Sequence, residues 1–343
     1  MRKRYGMTIV AACWPTVVAC GWGERGHSAI TEAAVELLAE DMPAFLKTDT
    51  ARARLVFLSA EPDRWRNVKL PPMGHINKPD HYFDIDLLPL YGLTPRTLPK
   101  YRHEYIAAMA LYKAKHPDRD YGYNAGTDRD HSGEWPGTAP YRICELYVQL
   151  KSSWRTLNTY RMHPEIVHEE TLETCRQNII YVMGLMSHYV GDTAQPLHTT
   201  LHHHGWVGEN PKGYTIERHF HSFIDTGIIE AAGLDRRALL RLRPAKRILN
   251  ERRLFDEVMR HIRETFRQVE PLYELERRGA FEPESPHFAE GAEFVRQRLV
   301  AGTVMLTALW ESAYRDAGID GFREGILQSQ EAAKEPSQEG TEP

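Results

Sequence analysis

The sequence predicts a mainly α fold: a single helical domain with long loops and few or no strands. Three observations carry that reading. Apolar residues recur at helical spacing in several long stretches. Strand-like alternation bounded by turn signals is sparse. No internal repeat divides the chain. The 343 residues are 42% hydrophobic with a formal net charge of −4, enough to bury a large core. That charge balance supplies no basic field for tight duplex DNA binding, although bound metal cations can supply positive charge to a nucleic acid substrate.

The elements follow in order. Residues 1–21 read as a signal peptide. Met1-Arg-Lys-Arg4 is the basic start, 7–18 an apolar core, and Ala19-Cys20-Gly21 offers small residues before Trp22. This core is too short to span a membrane comfortably. Val17-Val18-Ala19-Cys20 also fits a lipoprotein site with a lipidated Cys20. Either way the chain is expected to be exported, periplasmic or secreted. Cleavage after Gly21 leaves Cys144 and Cys175, which suit one disulfide or two reduced thiols equally.

The folded domain is expected over 22–325. A helix begins near His27, with Ile30, Ala33, Ala34, Leu37 and Leu38 on one face, and a short second helix covers 51–58. Pro62 breaks the pattern just before Asp63. The stretch 70–79, rich in Pro and Gly, reads as loop, and 81–86 as a short extended piece. Helices are predicted at 101–113, 141–157, 172–190, 217–230, 254–273 and 288–313. Between them, 116–136 is a polar, Gly-rich excursion and 199–215 a loop with His202-His203-His204. Residues 326–343 are poor in aromatics and rich in Glu, Gln and Ser, and read as a disordered tail.

The helix over 172–190 carries the most informative stretch, His188-Tyr-Val-Gly-Asp192-Thr-Ala-Gln-Pro-Leu-His198. His188 and Asp192, four apart, share a helical face. Pro196 drives Gln195 out of the helical region, and His198 returns on a turn. This donor set suits a hard-to-borderline divalent metal such as zinc. His221 and Asp225 repeat the spacing. Seven of the 17 histidines fall between His188 and His221. Two such pairs plus His198 exceed the three protein ligands of a usual catalytic zinc, so more than one metal is expected. Glu217 and His219 leave a shifted pairing open at the last motif.

Trp22-Gly-x-x-Gly-His27, Pro62-Asp63-x-x-Arg66, His81-Tyr-Phe-Asp, the His188–His198 stretch and His221-Ser-x-x-Asp225-Thr form an ordered set. In that order they resemble the zinc-dependent single-strand nucleases of the S-one/P-one type and the related bacterial-type zinc phospholipases C, a superfamily of mostly helical, trinuclear zinc phosphodiesterases. The resemblance implies about three Zn2+ per chain. Asp63, His81, His188 and Asp192 would hold one. Trp22 and His27 would hold a second, with Asp192 bridging, and His198, His221 and Asp225 a third. In the family the Trp ligates through its own amine and carbonyl, which requires Trp22 to be the mature first residue. An α-amino group, with pKa about 7.7–8.0, can lose its proton to a metal.

By the same resemblance, a hydroxide shared between zinc ions attacks phosphorus, with Asp63 and Asp192 in the catalytic centre and Arg66 facing the phosphate. Asp84 and Gln195 are candidates to orient metal-bound imidazoles. The short spacing from Trp22 to His27, and Asp rather than Glu at 225, resemble the nuclease branch. The expected substrate is single-stranded DNA or RNA, with phospholipid as the alternative and a non-catalytic exported zinc-binding protein as a second alternative. No stable protein partner is inferred. Tyr82, Trp65 and Trp206 are the candidate base-stacking residues.

Overall fold

The computed structural model describes residues 22–123 and 126–334. The signal-peptide and Cys20 readings, and the tail beyond 334, lie outside them. The described residues form α1 (Glu24–Leu37), α2 (Asp49–Ser59), α3 (Glu61–Arg66), α4 (Pro71–Asn77), α5 (Arg102–Lys115), α6 (Ala139–Arg161), α7 (Glu169–Ala194), α8 (His219–Ser222), α9 (Ile228–Ala231), α10 (Arg236–Leu240), α11 (Leu254–Phe266), α12 (Val269–Arg277), α13 (Phe288–Arg315) and α14 (Gly321–Lys334). Among them there is no strand, only an isolated bridge between His203 and Gly205. The mainly α expectation holds. No described helix is long and apolar enough to cross a membrane.

The 26-residue α7 is the axis, packed against α6, α2, α13, α1 and α11. Its second half is buried on every side, with all residues from Met183 to Ala194 inside. A helix buried all round belongs in the core of a large domain, and this places His188 and Asp192 there. Around it α6 buries Ile143, Leu146, Tyr147, Leu150, Trp154 and Leu157, and α13 buries Leu299, Leu306, Leu309 and Trp310. α7 stops where expected: Gln195 is extended (φ −89°, ψ 120°), and Pro196 opens a 3₁₀ turn over Pro196–Thr199.

Four local expectations are corrected. Pro62 and the Pro71-Pro72 pair do not break helices but start them. Each lies in a first turn, where the missing N–H has no helical partner to lose. The piece around His81 is a 3₁₀ turn, Lys78–His81, followed by a few extended residues and a second 3₁₀ run, Ile85–Tyr91. The single helix over 254–273 is two, α11 and α12, separated by a short break. The helix over 217–230 is a composite: α8, a π-turn at Phe223–Gly227, then α9.

The chain end also differs from the disordered reading. α14 carries helix through Lys334 into the tail region. Leu327 is buried, and His163 faces Glu324 through Nε2 and Glu331 through Nδ1, both at 2.9 Å. Cys144 and Cys175 are free thiols.

Candidate metal centre

Asp192 lies at the bottom of α7 with its carboxylate buried and ringed by imidazoles. His81 Nδ1 is 2.9 Å from Oδ2, His188 Nε2 3.2 Å from Oδ2, His27 Nε2 3.3 Å from Oδ1 and His198 Nδ1 3.9 Å from Oδ1. Four elements deliver these rings: α1, the Lys78–His81 turn, α7 and the Pro196–Thr199 turn. Asp63, on α3, completes the cluster with Oδ1 3.9 Å from both His81 and His188. Two sets of donors are close enough for metal binding here, His27 with Asp63 and His188, and His81 with His188 and Asp192.

A third group joins His198, His221 and Asp225, all buried, with His221 Nε2 3.1 Å from Asp225 Oδ2. Asp225 sits in the π-turn. Such a turn inserts an extra residue into a helix and is frequent at functional sites. Gly23 donates its amide to the Asp225 carbonyl at 2.9 Å, tying the segment after Trp22 to this group. Trp22 is fully buried. The structure thus brings His27, Asp63, His81, His188, Asp192, His198, His221 and Asp225 together, with Trp22 at their edge.

Backbone carbonyls fix two of the rings. His188 Nδ1 donates to Ser59 O at 2.7 Å and His198 Nδ1 to His81 O at 2.8 Å, which leaves the Nε2 atoms aimed inward. The atoms without partners show what this centre could hold. His27 Nδ1 and Nε2, Asp63 Oδ1, Asp192 Oδ1, His198 Nε2, both His221 nitrogens and Asp225 Oδ2 are buried without a hydrogen-bond partner. Buried polar atoms are ordinarily satisfied. So many orphaned lone pairs facing one another fit cations, and the donor set of imidazole and carboxylate fits zinc.

Electrostatics favour neutral rings at His27, His81, His198 and His221, whereas burial would lower His188 but the Asp192 charge helps to raise it. Burial alone would raise Asp192, but the charges of His188 and His198 beside it hold it well below the usual carboxylate range. Burial and the neighbouring His188 lower His27. Burial lowers His81 and His221 to about 4, with Arg66 contributing to both. Neutral imidazoles are the metal-binding form. Burial pushes Asp225 well above its ordinary range, so a neighbouring cation is what would keep it ionised. Arg66 is largely buried and paired with Asp63 at 3.2 Å, and its charge acts on both groups.

Other expectations fare differently. Gln195 donates to Asp225 Oδ1 at 2.7 Å, so it holds a carboxylate rather than an imidazole. Asp84 is buried beside Asp86 with Oδ1 unpartnered, and it forms no hydrogen bond to the rings. Glu217 and His219 are exposed, outside every group. Of the loop histidines, His203 and His204 stand beside His221, with ring centroids 6.5 and 5.4 Å away, while His202 stacks on Trp206 at 3.9 Å. Trp206 is therefore already covered, Trp65 Nε1 donates to Glu61 and Tyr82 OH to Ser132 O.

Sequence reasoning missed Asn77 and Gly191. Asn77 donates to Pro62 O at 2.8 Å, lies 3.2 Å from His81 Nε2 and accepts from Tyr189 OH at 3.1 Å, linking three walls of the centre. A Cβ at Gly191 would stand 2.8 Å from His27 Nδ1, so the absence of a side chain there lets α1 close onto α7. The glycine before Asp192 was the visible signal. Asn77 had none, since a buried amide has no characteristic spacing.

No protein-family model matches the chain, and no curated protein sequence does. Among solved structures it is similar to the alpha toxin from Clostridium absonum, at 13% identity over 86% of this chain and 67% of that one, with a TM-score of 0.41. A likeness this distant bears on neither fold nor activity.

Proposed function

We propose that the chain is an exported zinc-dependent phosphodiesterase. One observation carries this: three groups of His and Asp side chains, all buried except the half-buried Asp63, share one centre with unpartnered donor atoms, and a largely buried arginine acts on both ends of it. In this reading His27, Asp63, His81, His188 and Asp192, aided by the Trp22 amine and carbonyl, would hold two zinc ions. His198, His221 and Asp225 would hold the third. Zinc held there would supply a water of pKa about 7 and polarise phosphoryl oxygens.

The protein's own contribution is positioning. Ser59 O and the His81 carbonyl fix the imidazole tautomers. Gln195 steers Asp225. Arg66 offers its guanidinium to a phosphoryl oxygen, a fork that matches phosphate geometry. The low pKa of Asp192 keeps it ionised throughout.

Two carriers present such a linkage. Single-stranded nucleic acid is favoured by the Trp22–His27 spacing and by Asp225. Phospholipid is favoured by the corner between α3 and α4, where Val68, Leu70 and Ile76 are 48%, 60% and 62% exposed beside Arg66 and Asn77. An apolar rim suits a lipid surface, whereas the candidate base-stacking rings are already engaged.

The test uses the secreted, processed protein, whose N-terminal sequence should begin at Trp22. Zinc-loaded protein is assayed on denatured DNA, RNA and phosphatidylcholine vesicles. Chelator-sensitive hydrolysis of one carrier is expected, and Asp192→Asn should lower it by at least about 100-fold with the helical circular dichroism unchanged. Full zinc occupancy with no hydrolysis of any carrier would leave the non-catalytic zinc-binding reading.

A further inference from the structure

Away from the metal centre, a cleft of about 250 Å³ opens between α11, the short link after it and α13. It is lined by His261, Glu264, Thr265, Arg267, Gln268 and Arg298. None of these belongs to the metal groups.

Its charge is unbalanced in an unusual way. Many arginines among the described residues lie against carboxylates, but neither Arg267 nor Arg298 forms an ion pair there. Arg298 is half-buried, its Nε is buried without a partner, and its guanidinium lies 5.9 Å from the centre of the Phe294 ring. Burial lowers its pKa, and the only opposing influence is Glu264, an exposed side chain. His261 is 3% exposed, and its Nε2 is also buried and unpartnered. The nearby Arg247 and Arg298, together with burial, keep it uncharged. The Thr265 hydroxyl is already used, donating to the His261 carbonyl at 3.1 Å.

The donors are therefore in excess. Two guanidinium groups and the Gln268 amide border the cleft, with one carboxylate against them. A buried donor without an acceptor costs about 1–3 kcal/mol, and guanidinium forks match oxyanions with paired hydrogen bonds. The volume lies below the roughly 300–1,000 Å³ of ordinary small-molecule sites, leaving room for a small anion and a few waters.

From this geometry we infer that the α11–α13 cleft is a binding site for a phosphate-class oxyanion, separate from the metal centre. Arg267 and Arg298 are its charged anchors, and Gln268 and His261 are neutral partners. Free inorganic phosphate and the head of a phosphate monoester offer the same chemistry, so the test runs both.

Zinc-loaded wild-type protein is titrated calorimetrically with inorganic phosphate and, separately, with glycerol 2-phosphate. Two classes of site are expected, one at the metal centre and one in the cleft. Arg298→Met should weaken the second class by at least tenfold while leaving zinc content and the first class unchanged. Arg298→Lys, which keeps a positive charge, should retain part of the binding. The ligand with the larger loss in Arg298→Met identifies the source. Stoichiometry and affinities that match wild type in Arg298→Met, for both ligands, would overturn the site. Should Arg298→Met fold poorly, Arg267→Met at the exposed rim is held to the same outcomes.

Discussion

Asp192 is the residue on which the centre converges, and four histidines from four elements approach its two oxygens within 3.9 Å. This convergence was legible because the relevant chemistry is carried by residue types that stand out in a sequence. The His188–Asp192 spacing needed only helix geometry. Asp63 and His27 became readable only through the ordered resemblance, since a single Asp after a proline carries no signature. What stayed hidden were the supports, Asn77 and the Ser59 carbonyl, and the close approach that Gly191 permits, because such contacts depend on tertiary placement.

Gly191 gives a prediction at this scale. In an ordinary helix Gly→Ala adds up to about 1 kcal/mol of stability. Here the new methyl meets His27 Nδ1 at 2.8 Å, and overpacking costs about 1–3 kcal/mol. Gly191→Ala should therefore destabilise the fold and reduce zinc content, read by thermal unfolding and elemental analysis. A more stable variant with full zinc would contradict the close approach.

At the scale of elements, periodicity located the long helices well. α6, α7 and α13 fall within a few residues of their predicted spans because each has a sustained apolar face. Short helices begun by proline were read as loops, since the same residue stops a helix inside and starts one at its first turn. The π-turn under Asp225 was invisible: one inserted residue leaves hydrophobic spacing nearly unchanged.

α14 was missed because it is held by few apolar contacts and by charge. His163 lies between Glu324 and Glu331, and hydrogen bonds to these two carboxylates raise its pKa. A raised folded pKa means that the contribution is complete below the unfolded value of about 6.5 and is lost as pH rises through the folded value. Limited proteolysis of α14 should therefore be slower in wild type than in His163→Gln at pH 6. That difference should shrink as pH rises above neutrality. No difference at any pH would mean that packing of Leu327, not the charged clasp, holds the helix, and a difference that does not change with pH would mean that His163 acts without its charge.

At the scale of the whole molecule, the fold class followed from patterning, whereas the substrate did not. Cavities and rims are built from loops whose paths no periodicity encodes. The metals should act on the entire domain. A ligand at 100 times its dissociation constant adds about 2.7 kcal/mol per site. On the proposed reading of three zinc sites, chelation should lower Tm by on the order of 10 °C, restored by added zinc. Differential scanning calorimetry checks this, and an unchanged Tm would show that no ion supports the fold.

The bond from His81 to Asp192 joins positions 111 apart in the chain, and Gly23 reaches across to Asp225. Such long closures carry a large entropic penalty before any contact rewards them. The centre is then among the last features to assemble, after α7 has found its neighbours. Metal uptake would serve as a signal that the chain has matured, and a stalled or misfolded copy would remain inert.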